Sequence, residues 1–480
     1  MLHTDTLLVI WYIFEWVLRV LAIFVVPRNR QPSSSMLWLA IIFVSPPIGW
    51  LIFLILGFAK LPKHRRDDQV TLDRIVSKSM RESRLGESVR VPRKYRALNY
   101  LAQRLTKLSL FDGNDVQLLD NYQKTIDALI ADIDNAKYYV HLEFYIIALD
   151  ATTEPVFRAL AAAVSRGVTV RVLYDWLGVR RFPRRREMMK RFKHDGIQTR
   201  AMLPLTLPGR RYTRFDLRNH RKIVTIDGQI GYAGSLNLID RGYHRRDGIV
   251  NDELMVRVDG PLALQLEGVF TTDWYVETSE FIHDPQNKRP VRAEKAGYSK
   301  ARVVPSGPGY SYYNNLKIIT SALYAATEKV TIVNPYFIPE ESLSMALVSA
   351  AQRGIEVTLI NSEAVDQMFV AHAQRSYYEE MLRAGMKIYL YKAPTLLHSK
   401  YIVIDDDFAL IGSSNMDVRS FKLNHELMVV FHDKKLVRKV WEITRNYILG
   451  SVPVDKEAWL ARPPRKQLLD NIARLTSGIQ

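Results

Sequence analysis

The 480-residue chain contains no cysteine. That absence excludes structural disulfides, thiolate-bound zinc, iron–sulfur clusters and a thiol nucleophile, and it leaves the redox compartment unread. There is no His-Glu-x-x-His motif and no cluster of carboxylates of the metal-holding kind, so no metal site is expected. Acidic residues are in deficit: 50 Asp and Glu stand against 67 Lys and Arg, a formal net charge of +17. An imbalance of that size points to anionic partners, with acidic lipid and nucleic acid as the two candidates. Charge of either sign is missing altogether from residues 31–59. What is present is apolar material for real cores, 48% hydrophobic and 10% aromatic residues, in a chain long enough for two large domains and a smaller element.

The uncharged stretch belongs to an N-terminal membrane region. Residues 7–26 form a 20-residue apolar run, enough to cross a hydrocarbon core as a helix, and residues 36–59 predict a second span. The first six residues carry no Lys or Arg and a second span follows, unlike a cleaved signal. Glu15 and Arg19 lie four apart in the first span and are expected to pair on one helix side. Pro46 and Pro47 predict a kink or a shallow re-entrant hairpin in the second. Arg28 and Arg30 lie between the spans, whereas Lys60, Lys63, Arg65 and Arg66 follow them. The more basic side faces the cytoplasm, which places the large domain there.

Beyond this region the sequence is written twice. Residues 137–147, KYYVHLEFYII, and residues 329–339, KVTIVNPYFIP, are strand-like runs, each preceded and followed by a helical pattern. Each following helix ends in Arg-Gly, at Gly167 and Gly354, and a new strand begins. Strand, helix, strand in that order predicts a mostly parallel α/β sheet in each of two repeated lobes. The expected division is 1–60 as anchor, 61–109 as basic linker, 110–295 as first lobe, and 296–480 as second lobe with a C-terminal helix.

The repeat then becomes chemical. Residues 220–237, HRKIVTIDGQIGYAGSLN, align with 398–415, HSKYIVIDDDFALIGSSN. His220/His398, Lys222/Lys400, Asp227/Asp405, Ser235/Ser413 and Asn237/Asn415 match at identical spacing. NDELMV at 251–256 parallels NHELMV at 424–429. Strand alternation puts each His and Lys on one face. Lysine is a point charge suited to a non-bridging phosphate oxygen, and Ser and Asn donate hydrogen bonds to the same oxygens. One imidazole can attack phosphorus while a second protonates the leaving oxygen. Each ring needs its other nitrogen anchored, and Glu253 and Glu426 are the candidates. Asp227 and Asp405 end the His-x-Lys strands, where they are expected to brace the turns.

At these residues the chain resembles the phospholipase D superfamily, whose hallmark is a paired H-x-K-x4-D-x6-G-S-x-N motif; the match spans about residues 110–450. With its N-terminal spans and the segment MDVRSFKLNHE at 416–426, it is most similar to the bacterial cardiolipin synthases. The resemblance implies a bilobed pseudo-two-fold fold, one site between the lobes, and no metal or other cofactor. It implies phosphatidyl transfer between two phosphatidylglycerols with release of glycerol, in a multi-pass protein of the bacterial inner membrane. His220, Lys222, Asp227, His398, Lys400 and Asp405 would form the catalytic set, with His220 as nucleophile and His398 as general acid and base. The residues alone are symmetric and do not choose between the histidines. Lys222, Lys400, Asn237 and Asn415 would hold the phosphate, supported by Ser235 and Ser413.

Lipid is favoured over nucleic acid by the anchor and by residues 176–194, where eight Lys or Arg mix with Trp176, Leu177, Phe182, Met188, Met189 and Phe192. Residues 205–220 repeat that mixture, and Leu468, Leu469, Ile472 and Leu475 predict an amphipathic helix or a core contact at the end of the chain. Phosphatidylglycerol and a membrane are thus the expected partners, with nucleic acid not expected and oligomeric state open. A phospholipase D-type hydrolase is the runner-up, followed by a membrane-tethered nuclease and a non-catalytic lipid scaffold.

Overall fold

The computed structural model describes residues 2–28, 30, 32–57, 61–82, 89–205, 213–243, 248–282, 293–310, 313–475 and 477. The chain forms two compact units, Met1–Leu61 and Pro62–Gln480.

In the first unit, α1 (Leu2–Val25) includes the one stretch among the described residues that is long and apolar enough to cross a membrane, Asp5–Val25. The expected second span is corrected. It divides into α2 (Pro32–Val44) and α3 (Pro46–Leu56), of 13 and 11 residues, which reach only about 20 and 16 Å. Pro46 and Pro47 supply no N–H to the preceding turn and their rings collide with it, so the helix stops at Val44 and restarts. Residues 58 and 59 of the predicted span lie outside the described residues. The two pieces pack closely: a Cβ on Gly49 would stand 2.6 Å from the Cα of Ile42. Both bond to α1, Arg19 Nε donating to the Phe43 carbonyl at 3.2 Å and Trp50 Nε1 to that of Leu18 at 2.9 Å. Glu15 and Arg19 pair at 3.1 Å, so each charge is offset locally.

The second unit begins with α4 (Lys63–Glu82) and α5 (Arg96–Thr106). The first repeat follows: β1 (Phe111–Leu119), α6 (Tyr122–Asp134), β2 (Tyr139–Phe144), α7 (Glu154–Ser165), β3 (Thr169–Asp175), α8 (Trp176–Arg180), α9 (Arg185–His194) and β4 (Gln198–Met202). Next come β5 (Arg218–Asn219), β6 (Lys222–Ile226), β7 (Ile230–Gly234), β8 (Val250–Asp252), β9 (Met255–Asp259) and α10 (Leu262–Thr278). The second repeat contains β10 (Ser299–Ser306), α11 (Asn314–Ala325), β11 (Lys329–Val333), β12 (Phe337–Ile338), α12 (Glu341–Gln352), β13 (Glu356–Ser362), α13 (Met368–Arg383) and β14 (Lys387–Tyr391). It continues through β15 (Thr395–Leu397), β16 (Tyr401–Ile404), β17 (Phe408–Gly412), β18 (Met416–Asp417), α14 (Val418–Lys422), β19 (Asn424–Phe431) and α15 (Lys434–Leu449). It closes with β20 (Ser451–Pro453), α16 (Lys456–Leu460) and α17 (Pro464–Arg474).

Sixteen strands join one sheet, ordered β20-β14-β13-β11-β16-β17-β19-β10-β1-β9-β7-β6-β2-β3-β4, with β5 attached to β19. The α/β architecture is as expected, but the sheet is mixed rather than mostly parallel. Parallel pairs occur where a helix crosses over, β2-β3-β4 and β11-β13-β14. The long centre is antiparallel: β6-β7 and β16-β17 are tight hairpins, and β1 meets β10 across the repeat boundary. Pairing also fixes the register of the repeat: Val140 faces Ile226 and Val330 faces Ile404, so Tyr139 corresponds to Lys329. Gly167 and Gly354 both take positive φ, as helix-ending glycines should.

Each repeat has its own core under its helices, with Leu142, Leu160 and Phe192 in the first and Ile332, Leu347 and Tyr378 in the second. A third core draws on both, including Val256, Val258, Val303, Val403 and Val429. Parting the lobes would expose that layer, at about 1.5–3 kcal/mol per large side chain, which makes them one cooperative body. The apolar residues of 176–194 divide in the same way: Met188 and Phe192 are buried in the first core, leaving a solvated basic face.

Asp227 and Asp405 sit at left-handed turns, with φ of 52° and 48°. Asp227 accepts the backbone N–H groups of Lys137, Tyr138 and Tyr139 at 2.8–2.9 Å. Asp405 accepts those of Glu328 and Lys329, at 2.8 and 3.1 Å, and the Lys94 ammonium at 2.6 Å. Each ties the turn of one hairpin to the start of the neighbouring strand. Replacing Asp405 by alanine is expected to cost about 3 kcal/mol of stability, seen as a melting temperature lowered by several degrees. Unchanged melting with abolished turnover would instead place this carboxylate in the chemistry.

Candidate active site

Two short parallel pairings bring the halves of the site together. β5 lies beside β19, with Asn219 opposite His425, and β15 lies beside β8, with Leu397 opposite Asp252. The backbone N–H of His220 donates to the His425 carbonyl at 2.8 Å, and that of His398 to the Asp252 carbonyl at 2.7 Å. Each histidine thus arrives next to the Glu-Leu-Met-Val strand of the other repeat.

The side chains complete the exchange. His220 Nδ1 is 3.0 Å from Glu426 Oε1, and His398 Nδ1 is 2.8 Å from Glu253 Oε1. Anchoring Nδ1 as the donor leaves Nε2 as the reactive nitrogen of each ring. Lys222 and Lys400 curl back onto the carbonyls of their own histidines, at 2.6 and 2.5 Å. The tips of all these groups are buried yet within electrostatic reach: Lys400 acts on His220, and Lys222 acts on His398.

Burial dominates the titration of the set. It pushes His220 down to about 4, against the pull of Glu426, and lowers His398 as well. His220 is therefore neutral near pH 7, the state a nitrogen nucleophile requires. Burial also lowers Lys222 to about 7 and Lys400 to about 8, and mutual repulsion adds to the shift of Lys222. For the glutamates, burial alone would lift the carboxyls; the adjacent imidazole and lysines outweigh it and hold both below the usual range. As pH rises through about 7–8 the lysines lose charge and phosphate is held less well, and as pH falls towards 4 His220 gains a proton and loses its nucleophilic lone pair. A profile of kcat/KM is expected to fall on both sides, with the alkaline limb in KM. An alkaline limb first appearing near pH 10 would contradict this.

The remaining motif residues separate. Ser413 Oγ donates to Glu426 at 2.5 Å and accepts from the Leu427 N–H at 3.0 Å; Ser235 Oγ accepts from the Leu254 N–H at 3.0 Å. The serines thus brace the glutamate strands. The preceding glycines are required there, since a Cβ on Gly234 or Gly412 would stand 2.4 or 2.2 Å from the carbonyl oxygen of Leu254 or Leu427. Asn237 accepts from the Ile146 N–H and donates to the Tyr243 hydroxyl, both at 3.3 Å. Asn415, at the matching place in the second motif, is buried. Asp227 and Asp405 are not brought to the imidazoles; Asp227 lies five residues beyond Lys222, about 16 Å along the strand.

Several contributors carry no repeat signal. Asp175 accepts from the Leu177, Gly178 and Asn219 N–H groups at 2.8–2.9 Å, fixing the approach to His220. The Tyr145 ring lies edge-on to His220 at 5.3 Å, with Lys222 Nζ 5.6 Å from its centre. Arg221, between His220 and Lys222, faces away and binds Asp273 and the Glu426 carbonyl. Its counterpart Ser399 meets the Tyr447 hydroxyl at 3.2 Å instead, so the supports behind the two histidines differ. Of the basic stretch 205–220, residues 206–212 lie outside the described residues.

The chain matches known proteins over the same elements. Residues 129–274 and 319–448 fit the family described as cardiolipin synthase, phospholipase D-like domain, and residues 17–57 fit the phospholipase D-nuclease N-terminal family. Cardiolipin synthase A of Yersinia pseudotuberculosis serotype IB is 32% identical over 449 residues, covering 91% of this chain and 90% of that protein. Cardiolipin synthase A of Yersinia pestis is 32% identical over 444 residues with the same coverage. Phosphatidylserine synthase of Haemophilus influenzae Rd KW20 shares the fold, with a TM-score of 0.63 at 14% identity over 79% of this chain and 99% of that one. The chain belongs to the cardiolipin synthase family of phospholipase D-like proteins and is an enzyme of the phosphatidyltransferase type.

Proposed function

We propose that the protein joins two phosphatidylglycerol molecules into cardiolipin and glycerol. The observation that carries this reading is the exchange of glutamates between lobes, which anchors Nδ1 of both histidines and leaves each Nε2 for the chemistry, with each ring in electrostatic reach of the lysine of the other repeat. In the first step His220 Nε2 bonds to phosphorus, the bond from phosphorus to the departing glycerol oxygen breaks, and His398, starting as an imidazolium balanced by Glu253, gives its Nε2 proton to that oxygen. In the second, a hydroxyl of the next phosphatidylglycerol returns a proton to His398, its oxygen bonds to phosphorus, and the phosphorus–nitrogen bond breaks. Lys222 and Lys400 hold the non-bridging oxygens, with Asn237 and Asn415 at the edge of the same site. No nucleic acid takes part. In this reading residues 110–295 and 296–480 are the two lobes, joined through 61–109 to the anchor at 1–60.

The protein works at a membrane, on phospholipid. Because α2 and α3 are each too short to span, they are read as a re-entrant hairpin. The basic residues flanking α1, Arg28, Arg30, Lys63, Arg65 and Arg66, then all follow it, which puts the chain after α1 on the cytoplasmic face of the bacterial inner membrane.

The test is product analysis with phosphatidylglycerol as sole lipid. Cardiolipin and glycerol in equal amounts are expected. Phosphatidic acid in place of cardiolipin would make the protein a hydrolase, and indifference to lipid with cleavage of DNA or RNA would make it a nuclease.

A further inference from the structure

α17 is amphipathic the wrong way round for a soluble protein. Along α17 and just beyond its end the inward residues are polar or small: Asp470, Ala473 and Ser477 are buried. Asp470 is held there by His372 at 2.8 Å and Arg462 at 2.9 Å, and Ser477 meets the Tyr377 hydroxyl at 3.4 Å. Its outward face carries Leu468, Leu469, Ile472 and Leu475, exposed by 59, 56, 52 and 85%. The opposite rotation would bury four large apolar side chains, so the ion-paired Asp470 holds the leucines outward at the expense of ordinary core packing.

The helix beneath continues the surface. The Asp470–His372 and Ser477–Tyr377 contacts run α17 alongside α13 in the same direction, so Met368 and Phe369, also exposed, share the end that bears Leu468 and Leu469. Just before Met368, Asp366 bonds the Tyr336 hydroxyl at 2.8 Å and acts on the charge of Lys400. The apolar surface therefore starts at the rim of the candidate active site. Exposed Arg465 and Lys466 adjoin it.

We propose that α17 and the start of α13 form a bilayer-seated surface, with the leucine face among acyl chains and Arg465 and Lys466 against anionic phospholipid headgroups. The occupant is lipid rather than a second copy because cations border the apolar face and because the surface leads to a site that takes phospholipid; that last point rests on the function proposed above. Apolar side chains flanked by cations are the composition that seats a helix in an anionic interface.

The natural absence of cysteine makes the test direct. Leu469→Cys and Leu475→Cys, each carrying an environment-sensitive fluorophore, are reconstituted as the full chain with His220→Ala to keep the lipid fixed. The vesicles contain phosphatidylglycerol in phosphatidylcholine, or phosphatidylcholine alone, with bromine on the acyl chains as quencher. Strong quenching is expected at both positions with phosphatidylglycerol, at least threefold more than for a label at the exposed Tyr298, and less in phosphatidylcholine alone. Quenching no greater than at 298 in either vesicle overturns the proposal, as does shielding that depends on protein concentration rather than lipid, which would identify a second copy as the occupant. As a second measurement, replacing Leu468, Leu469, Ile472 and Leu475 together by Gln in the active protein is expected to raise KM for dispersed phosphatidylglycerol about tenfold while kcat holds. An unchanged KM also overturns it. Quenching does not depend on which product forms, so failure of the synthase reading and failure of this surface are told apart.

Discussion

Cardiolipin formation is expected to fall by about 10⁴-fold or more when His220 is replaced by alanine, because in the proposed assignment His220 is the residue that forms the covalent intermediate. His398→Ala is expected to cost about 10²–10⁴-fold with the natural lipid, the usual range for a lost general acid. The two differ in one readout. A phosphatidyl ester with a phenolate leaving group needs no proton, so it should restore intermediate formation in His398→Ala and leave His220→Ala inactive. Restoration in the opposite variant would exchange the two roles.

The glutamates give the second large effect, and the fold dictates its pattern. Glu426 serves His220 and Glu253 serves His398, each across the lobe boundary. Glu426→Gln and Glu253→Gln keep the size of the side chain and remove the charge that favours the imidazolium formed during each proton transfer or phosphorus attack. Losses of about 10²–10⁴-fold are expected from each. Glu426→Gln should behave like a weakened His220 variant, unresponsive to the leaving group, whereas Glu253→Gln should be rescued by the phenolate ester. The reverse pattern would mean that each glutamate serves the histidine of its own repeat.

The grouping of the site residues was legible in the sequence because strand alternation acts locally: His-x-Lys on one strand fixes which groups share a face before any tertiary contact is known. Glu253 and Glu426 were legible as candidate anchors because their Glu-Leu-Met-Val strand is repeated, and both contact a histidine Nδ1. Their exchange was not, because it depends on β5 meeting β19 and β15 meeting β8, pairings between residues about 200 and 150 positions apart. The antiparallel centre of the sheet departs from the mostly parallel expectation although one of its signals is in the sequence: the Asp227-Gly228 turn marks a hairpin. The broken second span was foreshadowed by Pro46 and Pro47, yet apolar length alone favoured a crossing. Asp175, Tyr145 and Arg221 could not have been found from the repeat. They support one histidine only, and the repeat shows only what both halves keep.

The central claim is that a neutral histidine from one lobe takes the phosphatidyl group while the other lobe assists. Its most direct test is to trap that adduct. His398→Ala is mixed with the phenolate ester, quenched in alkali, where phosphohistidine survives, and mapped by mass spectrometry. The account predicts the phosphatidyl group on the peptide carrying His220, at close to one per chain. Its appearance on a different residue, or turnover of the ester with no covalent adduct, would contradict it.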